Sequence, residues 1–429
     1  MPAGVGRDGP PAEALNSYPG EIEKLRGDDR LVIATALKEL EQLPVARPPL
    51  RRTVADQALA WAGSLAWPAG VYACSRLVVF LVAWVDSLIT HRPLAAEPAL
   101  FDGQWYLKLA GHGYPVQAIH GKSTLGFLPL YPLVIRGLAS LSGTSLLTAA
   151  LFAAFAGGLV TVVLVQRIAT IWWGERTARR AVLVFCLFPG SIVFSMAYSE
   201  CLTLPLAVGC LLALRSRRWL TAGALAGLAS AVEPAALILV PVCLAVSIRQ
   251  IMAFGWRDRV TWHSLTAPLL APLGLSLFGI YLWHRTGTPF ASYAAQHSGW
   301  HQGDPLTLLS QPVARQLLHH PASLLGHLPN PSLWNGVLGS AFLICAVMAL
   351  RPVRHELSPG VMVWTTGVGI LTLWSVMSLT NARMLLIAFP AVIVWARTLT
   401  GRRYQLFLVA EIAVFLLASG LTLAGAMLP

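Results

Sequence analysis

What most limits this chain is a succession of apolar stretches separated by short basic loops. A membrane crossing takes roughly 20 apolar residues. Eleven stretches approach or exceed that length: 68–90, 145–168, 181–197, 200–214, 219–232, 235–249, 266–284, 333–350, 359–379, 384–399 and 405–427. Of 429 residues, 56% are hydrophobic and 12% charged, about half the charged share of a soluble domain. Those values exclude a cytosolic globular enzyme, a secreted disulfide scaffold and a disordered chain. Nine of the nineteen acidic residues fall within 1–56. The expectation is an all-α polytopic membrane protein whose residues 1–60 form a partly disordered cytoplasmic tail. Within that tail the one helical candidate, 21–43, is ended by Pro44, Pro48 and Pro49. No cleavable leader is expected, because the opening fifty residues are polar and the first apolar run is long enough to span.

A twelfth apolar stretch, 125–141, carries Pro129, Pro132 and Arg136. If it does not cross, the loops 167–180, 215–218, 249–263, 351–356 and 397–403 share one side and hold fifteen Arg. The opposite side then holds seven Lys or Arg. If it crosses, the basic tail opposes the basic loops, against the positive-inside rule. The stretch therefore reads as an interfacial or re-entrant helix, and the chain as about eleven transmembrane helices with the N-terminus inside. Two large loops then lie outside, 91–144 and 285–332, both rich in aromatics, His and amides. Loops of that length are usually functional. Asp86, Glu97, Asp102, Glu200, Glu233 and Asp304 gather at or beyond the same outer boundary.

The net charge of +12 does not indicate nucleic acid, because Arg falls in loop clusters and not on a basic face with interleaved aromatics. All six Cys lie in or beside apolar segments without CxxC or Cys/His spacing, as small buried hydrophobes do. There is no GxxxxGK[ST], GxSxG or HExxH, and no D-x-D pair. A membrane enzyme with no nucleotide site needs an activated, lipid-borne donor. No metal cluster is visible, and neither a metal nor another cofactor is expected.

Five outward constellations remain. FDGQWYLKLAGHGYP (101–115) sets Asp102 beside Trp105 and Tyr106, with Gly103 permitting a tight turn. An acid among aromatics suits a general base, and indole and phenol rings suit a sugar. An interfacial aromatic belt has the same composition. FPGSIVFSMAYSECL (188–202) offers Tyr198, Ser199 and Glu200, and SAVEPAAL (230–237) offers Glu233. Each Glu serves equally as a helix cap, although a carboxylate at a membrane boundary is costly to desolvate. The loop 284–300 offers Gln296 and Trp300, and TNARMLLIAFP (380–390) offers Arg383. Arg383, Arg136 and Lys122 are outward cations that suit a phosphate and equally suit snorkelling to headgroups.

Taken in order, FDGQWYLKLAGHGYP, FLPLYPLVIRGLA, FPGSIVFSMAYSECL, TGTPFASYAAQHSGW and NARMLLIAFP resemble bacterial relatives of the GPI mannosyltransferase 2 family. That family is of the GT-C class of integral-membrane glycosyltransferases. The resemblance runs from about residue 65 to 400. It implies a GT-C-like core over 61–400, with interfacial helices in its two outer loops, followed by a last helix in 401–429. It implies mannose transfer from polyprenyl-phosphate mannose to a glycolipid, lipoglycan or protein, with inversion, on the outer face of the cell membrane. By that resemblance Asp102 is the base and Glu200 holds substrate hydroxyls with Tyr198 and Ser199. Arg383 steadies the leaving phosphate, backed by Arg136 and Lys122, and Gln296 and Trp300 line the acceptor side. Family members usually carry Arg before Pro where this chain has Glu233, and Arg-Tyr where it has Arg383–Met384. A transporter or lipid flippase is the competing class. It is disfavoured because no internal repeat is evident and the acids sit at one boundary, Glu411 in the last span excepted.

Overall fold

The computed structural model describes residues 54–94, 97–117, 119, 121–255, 257, 259–300, 331–374, 382–427 and 429. Residues 1–53 of the expected tail 1–60, and residues 301–330 of the second expected loop, lie outside these, whereas 54–60 are helical. The chain divides into two units, 1–61 and 62–429. Of the first, only the opening turns of a helix are described.

The described residues contain helices and no strand. In chain order the helices, a short turn of helix at Arg259–Trp262 aside, are α1 Val54–Thr90, α2 Asp102–His112, α3 Leu130–Ser142, α4 Leu146–Trp173, α5 Glu175–Leu187, α6 Glu200–Arg215, α7 Trp219–Ser230, α8 Leu239–Phe254, α9 Thr266–Leu270, α10 Leu273–Thr286 and α11 Ala291–Trp300. They continue as α12 Pro331–Leu350, α13 Pro359–Trp374, α14 Ala382–Ile387, α15 Phe389–Ile393, α16 Trp395–Thr398 and α17 Gly401–Leu423. Each of the eleven apolar stretches is thus helical where it is described. Four helices among the described residues are long and apolar enough to cross a membrane: Leu65–Thr90, Leu146–Trp173, Pro234–Phe254 and Gly401–Leu423. Two bent pairs raise that to six, and the remaining apolar helices are shorter. The stretches expected in the two large loops contain helices, α2 and α3 within 91–144 and α11 within 285–332.

Two stretches depart from the expected straight spans. The stretch 181–197 begins earlier, as α5, and bends 74° after Leu187 into a 3-10 turn, Pro189–Ser195. Pro189 has no amide proton with which to continue the α5 ladder. The stretch 384–399 is divided into α14, α15 and α16, with Ala388 at ψ 43 and Pro390 near the start of α15. Both breaks help to build the site described below.

The core is close helix packing with small residues at the contacts, the expected device where lipid removes the hydrophobic drive between helices. Ala149, Ala150, Ala153 and Ala154 of α4 are all buried. A Cβ on Gly157 would lie 2.1 Å from the Cys201 carbonyl oxygen of α6. A Cβ on Gly190 would lie 2.2 Å from the Ala382 carbonyl oxygen, so this glycine lets the 3-10 turn touch the backbone just before Arg383. From the other side Trp364 of α13, fully buried, donates to the Ile387 carbonyl at 3.0 Å. Arg76 of α1, also buried, holds the same 3-10 turn. It donates to the Ser191 carbonyl at 2.6 Å, Ser191 Oγ at 3.0 Å and Ser195 Oγ at 3.2 Å. The sequence reading passed over Arg76, although a charge inside an apolar span was the available signal. Glu411 is buried in α17, and neither of its carboxylate oxygens is hydrogen-bonded.

Gly157→Ala is expected to destabilise the protein by about 1–3 kcal/mol through overpacking of α4 on α6. Gly137→Ala, on the open face of α3 where a Cβ meets nothing within 4 Å, is expected to be neutral or slightly stabilising. Thermal unfolding of both variants in detergent, side by side, checks the contrast.

Candidate active site

Three acids from three segments converge on one guanidinium. Asp102 is the first residue of α2, and Glu200 is the first of α6. Both acids therefore sit where a helix dipole favours negative charge. Glu233 follows α7 in the turn that precedes the 3-10 segment Pro234–Ile238. Arg383 enters from α14. Its Nη1 donates to Asp102 Oδ2 at 2.6 Å, and its Nε lies 2.9 Å from Glu200 Oε1 at an angle that makes an ion pair without a hydrogen bond. The Glu200 side chain is 1% exposed, against 26% for Asp102 and 19% for Arg383. Asp102 is thus the accessible partner and Glu200 the buried anchor.

Thr203, one turn after Glu200, donates to Glu233 Oε2 at 3.1 Å and so joins the third acid to the group. The sequence reading missed Thr203, whose spacing on the Glu200 face of α6 was the only clue. Burial first, and the neighbouring Glu200 second, push the Glu233 carboxyl up to about 8. Glu233 therefore carries its proton at neutral pH. Nearby Glu97 is buried with neither carboxylate oxygen hydrogen-bonded, and desolvation pushes it up to about 7.

The aromatic residues expected to face a sugar divide into two kinds. Tyr106 and Tyr198 are buried, at 7% and 1% exposure. The Asp102 amide donates to Tyr198 Oη at 3.3 Å, Tyr106 Oη donates to Ser199 Oγ at 2.8 Å, and the Arg383 guanidinium lies 5.0 Å from the Tyr198 ring centre. Trp105 is partly exposed, stacks on Phe127 at 6.2 Å between ring centres and carries Lys108 over its face.

Of the other expected site residues, Gln296 gives its amide to the Gly126 carbonyl at 2.5 Å, tying α11 to the turn before α3. The backbone of Trp300 ends α11, and its side chain lies outside the described residues. Arg136 donates to the carbonyls of Ala110 and Gly111 at 2.7 and 2.8 Å, capping the end of α2 away from Asp102. Lys122 belongs to the turn lying against Gly299 of α11. The three cations grouped by sequence therefore have three different surroundings, and the ion pairs to Asp102 and Glu200 are made by Arg383. Among the described residues, no group of three or more His, Cys, Asp or Glu side chains is arranged to hold a metal ion.

At the end of α2 away from Asp102 lies a cavity of about 760 Å³, lined by Leu109 and Ala110 of α2, Leu130 and Arg136 of α3, Gly227 of α7 and Leu277 of α10, among others. Leu133, Leu228, Leu273 and Leu277 stand exposed along it. Two of its walls, α2 and α7, belong to the segments that carry Asp102 and Glu233.

Among solved structures, the fold is similar to the Archaeoglobus fulgidus oligosaccharyltransferase in its apo form. That likeness has 13% identity and a TM-score of 0.47 over 84% of this chain and 56% of that one. It is also similar to ArnT from Cupriavidus metallidurans in the apo state, with 15% identity and a TM-score of 0.44 over 86% and 76%. A curated relative, GPI mannosyltransferase 2 of Drosophila pseudoobscura pseudoobscura, is 31% identical over 127 residues, which is 27% of this chain and 26% of that protein. Residues 81–255 match the family model described as mannosyltransferase (PIG-V). That match takes in Asp102, Glu200 and Glu233, and it is this segment of the chain that is similar to the mannosyltransferase (PIG-V) family.

Proposed function

We propose that this protein is an integral-membrane glycosyltransferase that moves mannose from polyprenyl-phosphate mannose to an acceptor hydroxyl. The acceptor is a glycolipid, lipoglycan or protein, and transfer takes place on the outer face of the cell membrane with inversion. The observation that carries the reading is the Asp102–Arg383–Glu200 group, a carboxylate base and a cation 2.6 Å apart at the outer ends of several helices. The alternation of basic loops supports the outward assignment.

In this scheme the Asp102 carboxylate takes the proton from the acceptor hydroxyl as its oxygen attacks the anomeric carbon. The bond from that carbon to the phosphate oxygen breaks, and polyprenyl phosphate leaves with the electron pair. Arg383 meets the charge that develops on the leaving phosphate, and such stabilisation is usually the largest catalytic contribution. An arriving phosphate competes with Asp102 for Arg383. Asp102, the more exposed partner, gives way and is freed as a base when the donor is seated. Glu233, protonated, donates a hydrogen bond to a substrate hydroxyl. The apolar cavity along α2 and α7 suits the isoprenoid chain, because its exposed leucines open it sideways toward lipid.

Asp102→Asn keeps size and hydrogen bonding and removes the base. In membranes supplied with labelled polyprenyl-phosphate mannose and native envelope acceptors, it is expected to lose at least about a hundredfold in transfer at equal abundance. Equal transfer by both proteins makes Asp102 structural, and no transfer by either overturns the donor assignment. A second expectation concerns pH. The raised Glu233 carboxyl is neutral below about 8 and ionises above it, adding a negative charge beside Glu200, so activity falls on the alkaline side. Glu233→Gln, which mimics the neutral acid, is expected to keep most of the activity near pH 7 and to lose that alkaline fall. An unchanged alkaline limb in the pH–rate profile removes Glu233 from this role.

A further inference from the structure

The two tyrosines that flank the acids are arranged reciprocally. Tyr198 stands two residues before Glu200, and its hydroxyl oxygen accepts the backbone N–H of Asp102 at 3.3 Å. Tyr106 stands one turn after Asp102, and its hydroxyl donates at 2.8 Å to Ser199, the residue before Glu200. Each acid-bearing segment is thus gripped by a phenol from the other. We propose that Tyr106 and Tyr198 are positioning residues, a reciprocal clasp that fixes the spacing of Asp102 and Glu200 so that Arg383 bridges both. The kinetic part of this inference rests on the transferase reading above.

Several observations converge on the clasp. Both phenols are buried, so neither offers a ring face to a sugar. The Tyr106 ring is set edge-on between Phe127, at 4.9 Å, and Tyr131, at 5.0 Å, so packing fixes the direction of its hydroxyl. The Tyr198 ring lies beneath the Arg383 guanidinium, so one side chain braces the base through its backbone and the cation through its face. A backbone thread runs alongside, from the Ala197 amide to the Pro98 carbonyl at 2.9 Å. Gly103 allows the close approach, since a Cβ there would meet the Pro98 oxygen at 3.2 Å and Ala197 at 3.5 Å. Phe101, immediately before Asp102, holds φ 54 and ψ −118, a conformation that non-glycine residues keep only when their surroundings impose it. Ion pairs alone would not impose it, because the long arginine side chain tolerates slack that short, packed phenols do not.

The test uses Tyr106→Phe, Tyr198→Phe and the double variant in the full chain, since each change removes a hydroxyl and leaves the ring in place. Mannose transfer from polyprenyl-phosphate mannose is measured together with amide hydrogen exchange over 100–106. Each single variant is expected to lose about tenfold or more in kcat at unchanged donor KM, as small misplacements of reacting groups do. The double variant should fall little further, because both hydroxyls serve one spacing. Tyr198→Phe should also speed exchange at the Asp102 amide. Ser199→Ala should reproduce Tyr106→Phe, and Ser199→Thr should restore activity. A raised donor KM at unchanged kcat makes the tyrosines sugar ligands and overturns the proposal. Strictly additive losses, or unchanged exchange and kcat, overturn it too. If the wild type transfers no mannose, the transferase reading fails and hydrogen exchange alone decides the clasp.

Discussion

One guanidinium organises one end of this helix bundle. Arg383 faces two carboxylates contributed by the first residues of two helices, and a third acid is tied to that pair through Thr203. Taking such charges out of water costs several kcal/mol per ion, recovered only with good geometry. Removing one partner of a buried pair costs about 3–5 kcal/mol, because the other is left uncompensated. The surrounding structure is arranged accordingly. Gly190 admits the backbone before Arg383, Trp364 holds the end of α14, and Arg76 fixes the 3-10 turn against which that backbone rests. The stretch 384–399 is not one straight helix, and Arg383 sits in the short helix that opens it. The breaks at Ala388 and Leu187 turn that side chain toward the acids.

The charge balance of the group follows from the same geometry. Three carboxylates oppose one guanidinium, an excess that a desolvated pocket does not sustain in fully ionised form. Burial resolves part of it by keeping a proton on Glu233. In the proposed reaction that leaves Glu200 to hold Arg383 and Asp102 to exchange partners. The division is set by exposure: one acid at 1% is locked in place, and one at 26% is free to respond to what enters.

Much of this was legible in the sequence, and the limits have physical causes. Apolar length and the Arg distribution located the helices, because lipid leaves the backbone few alternatives. The acids stood out because ionisable groups are rare in such a chain, and the rarity directed attention to Asp102, Glu200, Glu233 and Arg383. Tyr106 and Tyr198 were read as sugar-facing because composition gives a ring's presence and not its direction. Their burial depends on contacts across more than ninety residues of sequence. Arg136 looked like a phosphate ligand for the same reason, whereas its fork closes the carbonyls at the end of α2. Arg76 carries a signal in the sequence, a charge inside an apolar span, but its partners in the 3-10 turn lie more than a hundred residues away.

The Glu233 position shows how one substitution can alter a site without altering its fold. Where the family that this sequence resembles usually carries a cation before proline, this chain carries an acid, and the acid lies buried near Glu200 with Thr203 as its donor. A second cation there would share the carboxylates with Arg383 and weaken its hold on Asp102. An acid that stays protonated does the opposite, leaving Arg383 as the cation paired with both Asp102 and Glu200. In the proposed reaction the sugar ring gains positive character as the phosphate departs. A group with one cation for the phosphate and retained carboxylate charge for the ring stabilises both ends of that separation. The exchange of sign at position 233 is therefore compatible with transfer, and it concentrates the phosphate's dependence on Arg383.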